Sequence, residues 1–303
     1  MTPARSAPSW VRALGSVVKR LPRGRYQLVA SIRSSSAPFV GSLAADLRAP
    51  RFICDLSDEI AREVCLTGYY EPPVTRLMQQ RLHAGGTMVD VGANWGYFSL
   101  LAGAAVGTAG RVIALEPDPR QFLTLDSNIR LNGFTQVTPI RQAAAATAGR
   151  GRLLGYSDDA ANRGVSRLGN SLSDRPSFEV ECATIDSLVN NLPRIDAIKI
   201  DVEGAEIDVL RGMRDGLASH RYRSMFLELH PEQLADRGES PDACLRLLLD
   251  AGYRGWTIDQ SPRSYRRAVD PNLGAREILQ PLEAWRAQAW PHLLWLAPGE
   301  DLD

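Results

Sequence analysis

Apolar and polar positions along the chain follow two periods, and the switches between them lay out its elements. Met88 to Val91 is a short apolar run broken only by Asp90. Tyr97 to Val106 is an apolar stretch of helical length, and Gly92 and Gly96 bracket the turn between the two. Downstream, predicted strands at Arg111–Leu115, Val137–Ala144, Asp196–Val202, Met225–Leu229, Tyr253–Ile258 and Leu293–Ala297 are interleaved with predicted helices. Those helices are Pro119–Leu131, Ile185–Leu192, one starting over Ala205–Gly212, and Pro241–Ala251; Asn132-Gly133 supplies the stop of the first. Upstream, Asp55–Leu66 and Pro72–Leu82 read as helices, with Pro73 in the first turn of the second. Such alternation predicts an α/β fold, a doubly wound and mostly parallel sheet with helices on both faces. Tyr253–Ile258 and Leu293–Ala297 have no clear helix between them, which predicts an antiparallel edge pair.

The two remaining stretches break this rhythm. Residues 1–50 are basic and rich in Ser, Ala and Pro. Trp10, Val11, Leu14, Val17, Val18 and Leu21 recur at helical spacing there, and Arg25–Ile32 with Phe39–Asp46 has the partial alternation of a small hairpin. The plain reading is a helix docked on the main domain; contact with a membrane surface or a partner is the sharper one. Gly149 to Thr184 is long, polar and Gly/Ser-rich, with strands expected at Gly151–Gly155 and Phe178–Ala183. The expected domains are therefore a basic extension over 1–50 and an α/β domain over 51–303.

Composition narrows the class. The 303 residues are 44% hydrophobic, enough for one large domain with an appendage, and the formal charge of +0 offers no broad nucleic-acid footprint. Every ionisable residue before Asp46 is basic, while lysine occurs only at Lys19 and Lys199, a preference for arginine that reads as genomic bias. Cys54, Cys65, Cys182 and Cys244 form no C-x-x-C pair, which argues against a zinc knuckle or a disulfide framework and makes a reducing cytoplasm the expectation. No apolar run reaches the length of a membrane span, and no signal-peptide core is apparent.

The turn after Met88–Val91 has the strand–glycine–helix order of a nucleotide site. Its glycines are Gly92 and Gly96 with Asn94 and Trp95 between them, so G-x-G-x-x-G is missing, and no lysine follows to make a P-loop. A turn without a pyrophosphate cradle, opened by acidic Asp90, suits a nucleoside with an amino-acid tail, such as S-adenosylmethionine. Asp90 is placed to meet the tail's amino group; its plain alternative is a cap. Glu116 ends the next strand 26 positions on (116 − 90), where a carboxylate with two acceptor oxygens can take both ribose hydroxyls. Gln142 and Ala143 end the third strand, near the base. Gly92, Ala93, Asn94, Gly96, Tyr97, Phe98, Pro117 and Asp201 complete the candidate cofactor set.

A second centre is Ile198-Lys-Ile-Asp-Val-Glu-Gly-Ala-Glu206. Lys199 and Asp201 share one strand face, and a buried lysine needs an acidic partner, Asp201 or Glu228. Glu206 reads mostly as a helix-dipole partner. Glu228 and His230 share a face at the end of the next strand, and His230 can accept a hydroxyl proton. The catalytic candidates are His230, Asp201, Glu203 and Lys199. The expectation is no metal, with Asp201, Glu203 and His230 as the alternative ligand set. His83, His220 and His292 lie outside these motifs and read as structural or surface residues.

Asp90-Val-Gly-Ala-Asn-Trp-Gly-Tyr, Glu116-Pro-Asp-Pro, Ile198 to Glu206 and Glu228-Leu-His230, in this order, resemble the FkbM-type S-adenosylmethionine-dependent methyltransferases, over about Asp55 to Pro298. The resemblance implies a seven-stranded Rossmann-like sheet with an antiparallel edge strand. It also implies methyl transfer from S-adenosylmethionine to a hydroxyl of a small molecule or glycan. Base-methylating enzymes commonly carry an Asp/Asn-Pro-Pro-aromatic motif where Asp201-Val-Glu-Gly stands, so a nucleic-acid partner is not expected. A non-catalytic binding protein and a nicotinamide-dependent oxidoreductase are the rival readings.

Overall fold

The computed structural model describes residues 5–21, 28–29, 31–32, 37–155, 167–168 and 177–302. Its centre is a sheet of eight strands: β3 (Thr87–Val91), β4 (Arg111–Leu115), β5 (Val137–Ile140), β10 (Ile195–Ile200), β11 (Tyr222–Glu228), β12 (Arg254–Ile258), β13 (Leu279–Pro281) and β14 (His292–Leu296), in the order β13-β12-β14-β11-β10-β3-β4-β5. From β5 to β11 every pairing is parallel, whereas β14 runs antiparallel to both β11 and β12. The fold is Rossmann-like. The sheet exceeds the expected seven strands by β13, three residues pairing antiparallel with β12 at the edge. The last long strand, β14, lies inside the sheet, between β11 and β12.

The strand faces follow the side-chain period of two. Met88, Phe226, Leu294 and Leu296 are buried in one core layer, and Val89, Met225, Leu227, Leu293 and Trp295 in the layer across the sheet. Lys199 has the parity of Ala197, so it stands in the first layer, which also holds Phe98. The helix Tyr97–Val106 is buried along nearly its whole length. Gly103 lets it approach β5 closely, because a Cβ there would stand 2.8 Å from a methyl of Val137. Burial of Leu100 and Leu101 in this layer contributes about 1.5–3 kcal/mol each.

Several predicted boundaries shift. The expected strand Val137–Ala144 is two strands: β5 carries Pro139, which cannot donate to a ladder, and the chain then leaves the main sheet. Ala143–Ala144 (β6) joins a separate four-stranded sheet with Gly149–Leu154 (β7), Arg167–Leu168 (β8) and Ser177–Ala183 (β9). The predicted helix over Ile185–Leu192 is a single turn, Ile185–Leu188, capped by Thr184.

The N-terminal helix forms over Ser9–Arg20 and packs on Glu59–Thr67 through buried Val11 and Val18. Phe39–Ser42 (β1) pairs with Arg51–Cys54 (β2), not with the 25–32 stretch, whose residues 28–29 and 31 are helical and whose remainder is mostly outside the described residues. The β1–β2 hairpin straddles residue 50. Buried Asn128 ties it to the sheet, accepting from the Ile53 N–H at 2.8 Å and donating to the Trp95 carbonyl at 2.8 Å. Among the described residues no helix is long and apolar enough to cross a membrane.

Candidate functional site

The strand order reverses between β3 and β10, and open α/β sheets bind ligands at the carboxyl ends of strands beside such a point. Here the glycine turn following β3 meets the segment following β10. The Asp201 N–H donates to the Val91 carbonyl at 3.0 Å. Gly92 has φ +84°, and a Cβ on it would stand 1.8 Å from the Asp201 carbonyl oxygen, so only glycine fits. Asp90 lies beneath the turn, 1% exposed, with Ser99 Oγ donating to it at 2.6 Å. Burial pushes its carboxyl up to about 6, against the Ser99 hydrogen bond and the Lys199 charge.

Glu116 locks the turn from the neighbouring strand. Its two carboxylate oxygens accept from the N–H groups of Asn94 and Asp118, each at 2.8 Å. Asn94, at φ +52°, offers that N–H because asparagine tolerates the left-handed region. Burial outweighs these bonds and raises the Glu116 carboxyl to about 8. Each oxygen retains a second acceptor position.

Lys199 is 4% exposed at its side chain and donates to Asp201 Oδ2 at 2.8 Å, one of the two partners expected from sequence. Glu228 and Glu71 each have an oxygen 3.9 Å from the same ammonium, and the Phe98 ring lies beneath it. Burial alone would lower the Lys199 pKa, but these carboxylates hold it well above the ordinary lysine value. Glu71 went unforeseen: it is buried, left-handed at φ +40°, and sits immediately before Pro72 at the start of the Pro72–Arg81 helix. His292 also takes part, with Nε2 3.2 Å from Glu228 Oε2 and 3.5 Å from Glu71 Oε1. The antiparallel register of β11 and β14 sets His292 opposite Glu228. It is thus a partner in the polar cluster and not a surface residue.

His230 is the other focus. Its Nδ1 lies 2.6 Å from Glu206 Oε1. Glu206 is fully buried and also accepts the Gly204 N–H at 3.0 Å, so it orients His230 as well as opening a helix. Nε2 of His230 points toward Glu203, Glu228 and Asp201, at 3.5, 3.8 and 3.9 Å. Burial would lower the imidazole's pKa; the Glu206 hydrogen bond and the three carboxylate charges prevail and raise it to about 10. Burial pushes the Glu203 carboxyl up to about 7 despite the attraction of His230.

One cavity joins both centres. All sequence-selected candidates line it except Asp90 and Gly96, which lie behind the turn. The sequence did not single out Tyr70, Gln121, Gln233 and Trp290, which also line it. Trp290 is 61% exposed at the cavity wall, and its setting between Ala289 and Pro291 carries no sequence signal of a site.

Residues 90–254, more than half of the chain, match the family model described as methyltransferase FkbM domain. The hexuronic acid methyltransferase AglP of Haloferax volcanii is 27% identical over 238 residues, covering 78% of this chain and 90% of that protein. Methyltransferase 1 of Beauveria bassiana is 29% identical over 150 residues, covering 42% of this chain and 58% of that protein. Among solved structures, the SAM-dependent O-methyltransferase of Thermotoga maritima aligns with a TM-score of 0.40 at 13% identity, covering 77% of this chain and 67% of that one.

Proposed function

The chain belongs to the FkbM methyltransferase family, and from that premise we propose that it moves a methyl group from S-adenosylmethionine to a hydroxyl of a small molecule or glycan. The observation that carries this reading is the single cavity, which joins a nucleoside-type donor set to a buried His–carboxylate cluster. The donor set fits the cofactor. Glu116 offers acceptors for two ribose hydroxyls, Leu115, Pro117 and Ala143 offer apolar surface for a base, and Gln142 offers polar contacts beside it. Among the described residues, the only lysine in the lining is tied to Asp201 and no arginine lines the cavity, which argues against a phosphate cradle. Asp90, held by Ser99 below the turn, acts on the amino-acid tail through the turn or a bridging water, not by lining the cavity.

S-adenosylmethionine, when bound, supplies a methyl already activated by the sulfonium charge. The chain's own residues need only align the acceptor oxygen and take its proton. Glu203, with a pKa near 7, is better matched to accept that proton at neutral pH than His230, which is charged there in the free chain. Asp201 and Lys199 fix the floor of the acceptor subsite, and the exposed Trp290 ring offers a flat apolar face to a sugar. The action of AglP on hexuronic acid supports a glycan or uronate acceptor.

The test is calorimetric titration of S-adenosylmethionine and its demethylated product on wild type and Glu116→Ala. Binding by the wild type that is lost in the variant is expected. A folded wild type that binds neither compound would overturn the reading.

A further inference from the structure

We propose that Asp201, Glu203 and His230 form a binding site for a hard divalent cation, Mg2+ or Mn2+, on the wall of the acceptor subsite. The imidazole is the first reason. The His230 side chain is 4% exposed, and Nδ1 is committed to Glu206, which fixes the ring. Nε2 then points into a group of carboxylate oxygens at 3.5, 3.8 and 3.9 Å. None of these is a hydrogen bond, since N–H···O bonds lie at about 2.7–3.2 Å. A six-coordinate cation with bonds of about 2.1–2.4 Å holds neighbouring donors about 3.0–3.4 Å apart, so a small inward shift would complete the shell.

The carboxylates are arranged to match. Asp201 gives Oδ2 to Lys199 and turns Oδ1 toward His230. Glu228 gives Oε2 to His292 and turns Oε1 toward His230. Each therefore has one oxygen in an ion pair and the other within 4 Å of His230 Nε2. Atoms of Asp201, Glu203 and His230 capable of ligation all lie within 4.8 Å of one another. Glu206 completes the pattern from behind, because a ligating histidine commonly gives its other ring N–H to a carboxylate that fixes tautomer and orientation.

Charge points the same way. Glu71, Asp201, Glu203, Glu206 and Glu228 crowd a largely buried region in which, among the described residues, Lys199 is the one permanent cation and His230 and His292 are held toward their charged forms by the same carboxylates. A divalent ion would take the place of the His230 Nε2 proton, released to solvent, and offset this excess, whereas the neighbouring group of Glu71, Glu228 and His292 already has Lys199 3.9 Å from both carboxylates. Two oxygens and one imidazole nitrogen, with open positions toward the cavity, favour Mg2+ or Mn2+ over soft thiophilic metals. If the methyl-transfer reading holds, those open positions would take an acceptor hydroxyl and a neighbouring hydroxyl or carboxylate, orienting the nucleophile and lowering its pKa.

The experiment needs neither acceptor nor cofactor. Metal-stripped protein is titrated into Mn2+, and the electron paramagnetic resonance signal of free Mn2+ is followed. Wild type should remove one Mn2+ per chain. Glu203→Gln, close in shape and at a partly open position, should abolish the loss of signal, and Glu206→Gln should weaken binding by about ten- to hundred-fold. Melting curves of the stripped variants show which are folded, and Mn2+ should raise the midpoint of wild type but not of Glu203→Gln. A wild type that leaves the free signal intact, or equal binding by folded Glu203→Gln, would overturn the cation site. Neither result touches cofactor binding, which the calorimetric titration decides separately.

Discussion

His230 Nδ1 and Glu206 Oε1 lie 2.6 Å apart in the buried centre of the molecule, although 24 residues separate them in the chain. The pair links the end of β11 to the start of the Glu206–Arg211 helix and fixes which imidazole nitrogen faces the cavity. Truncating Glu206→Ala would orphan both this nitrogen and the Gly204 N–H, at a cost of about 1–3 kcal/mol for each buried group. Urea unfolding should show that loss, with Glu206→Gln retaining most of the stability. A Glu206→Ala midpoint equal to wild type would contradict the role given to Glu206.

Glu116 makes stability fall as pH rises. Burial lifts its folded-state carboxyl to about 8, above the ordinary glutamate value of 4.5. The folded chain therefore holds a proton that the unfolded chain has released, and the benefit present below pH 4.5 is lost on the way to pH 8. Asp90, raised from 3.8 to about 6, adds to the lower part of this window, and Glu203, raised from 4.5 to about 7, and His230, raised from 6.5 to about 10, share the interval from pH 6 to 8 with Glu116. Melting curves of the ligand-free protein across pH 6–8 should slope downward for wild type and less steeply for Glu116→Gln, with the remaining slope due to Glu203 and His230.

Gly92→Ala tests the junction of the two centres. The substitution places a side chain at φ +84° and drives a methyl into the Asp201 carbonyl, 1.8 Å away in the present geometry. Backbone strain alone is worth about 1–3 kcal/mol, and relief of the clash must separate the ends of β3 and β10. A lowered melting midpoint together with loss of cofactor binding is expected. Normal cofactor affinity in this variant would show that the junction does not shape the pocket.

Trp290→Ala should separate acceptor from cofactor. The ring is 61% exposed, so its removal leaves the core and the melting midpoint unchanged. Loss of an aromatic stacking surface worth about 1 kcal/mol should raise the acceptor's KM roughly fivefold with cofactor affinity intact. Steady-state kinetics at saturating S-adenosylmethionine would read this, and an unchanged KM would remove Trp290 from the acceptor site.

The sequence by itself determined the α/β class, the glycine turn after β3, the strand-end Glu116 and the need of Lys199 for an acidic partner, Asp201 or Glu228. These are local matters: a period of two or 3.6, a residue that tolerates positive φ, a buried lysine that needs an acid nearby in the chain. Tertiary structure alone decided the rest. It placed β14 between β11 and β12, since an antiparallel return can enter any open edge and hydrophobic pattern does not choose among edges. It brought Glu71 and His292 to Lys199 and Glu228 across more than sixty positions of chain, with no short spacing to announce the meeting. It turned Glu206, an ordinary helix-start acid by sequence, into the buried partner of His230, because only packing reveals which charges are withheld from water and must find one another.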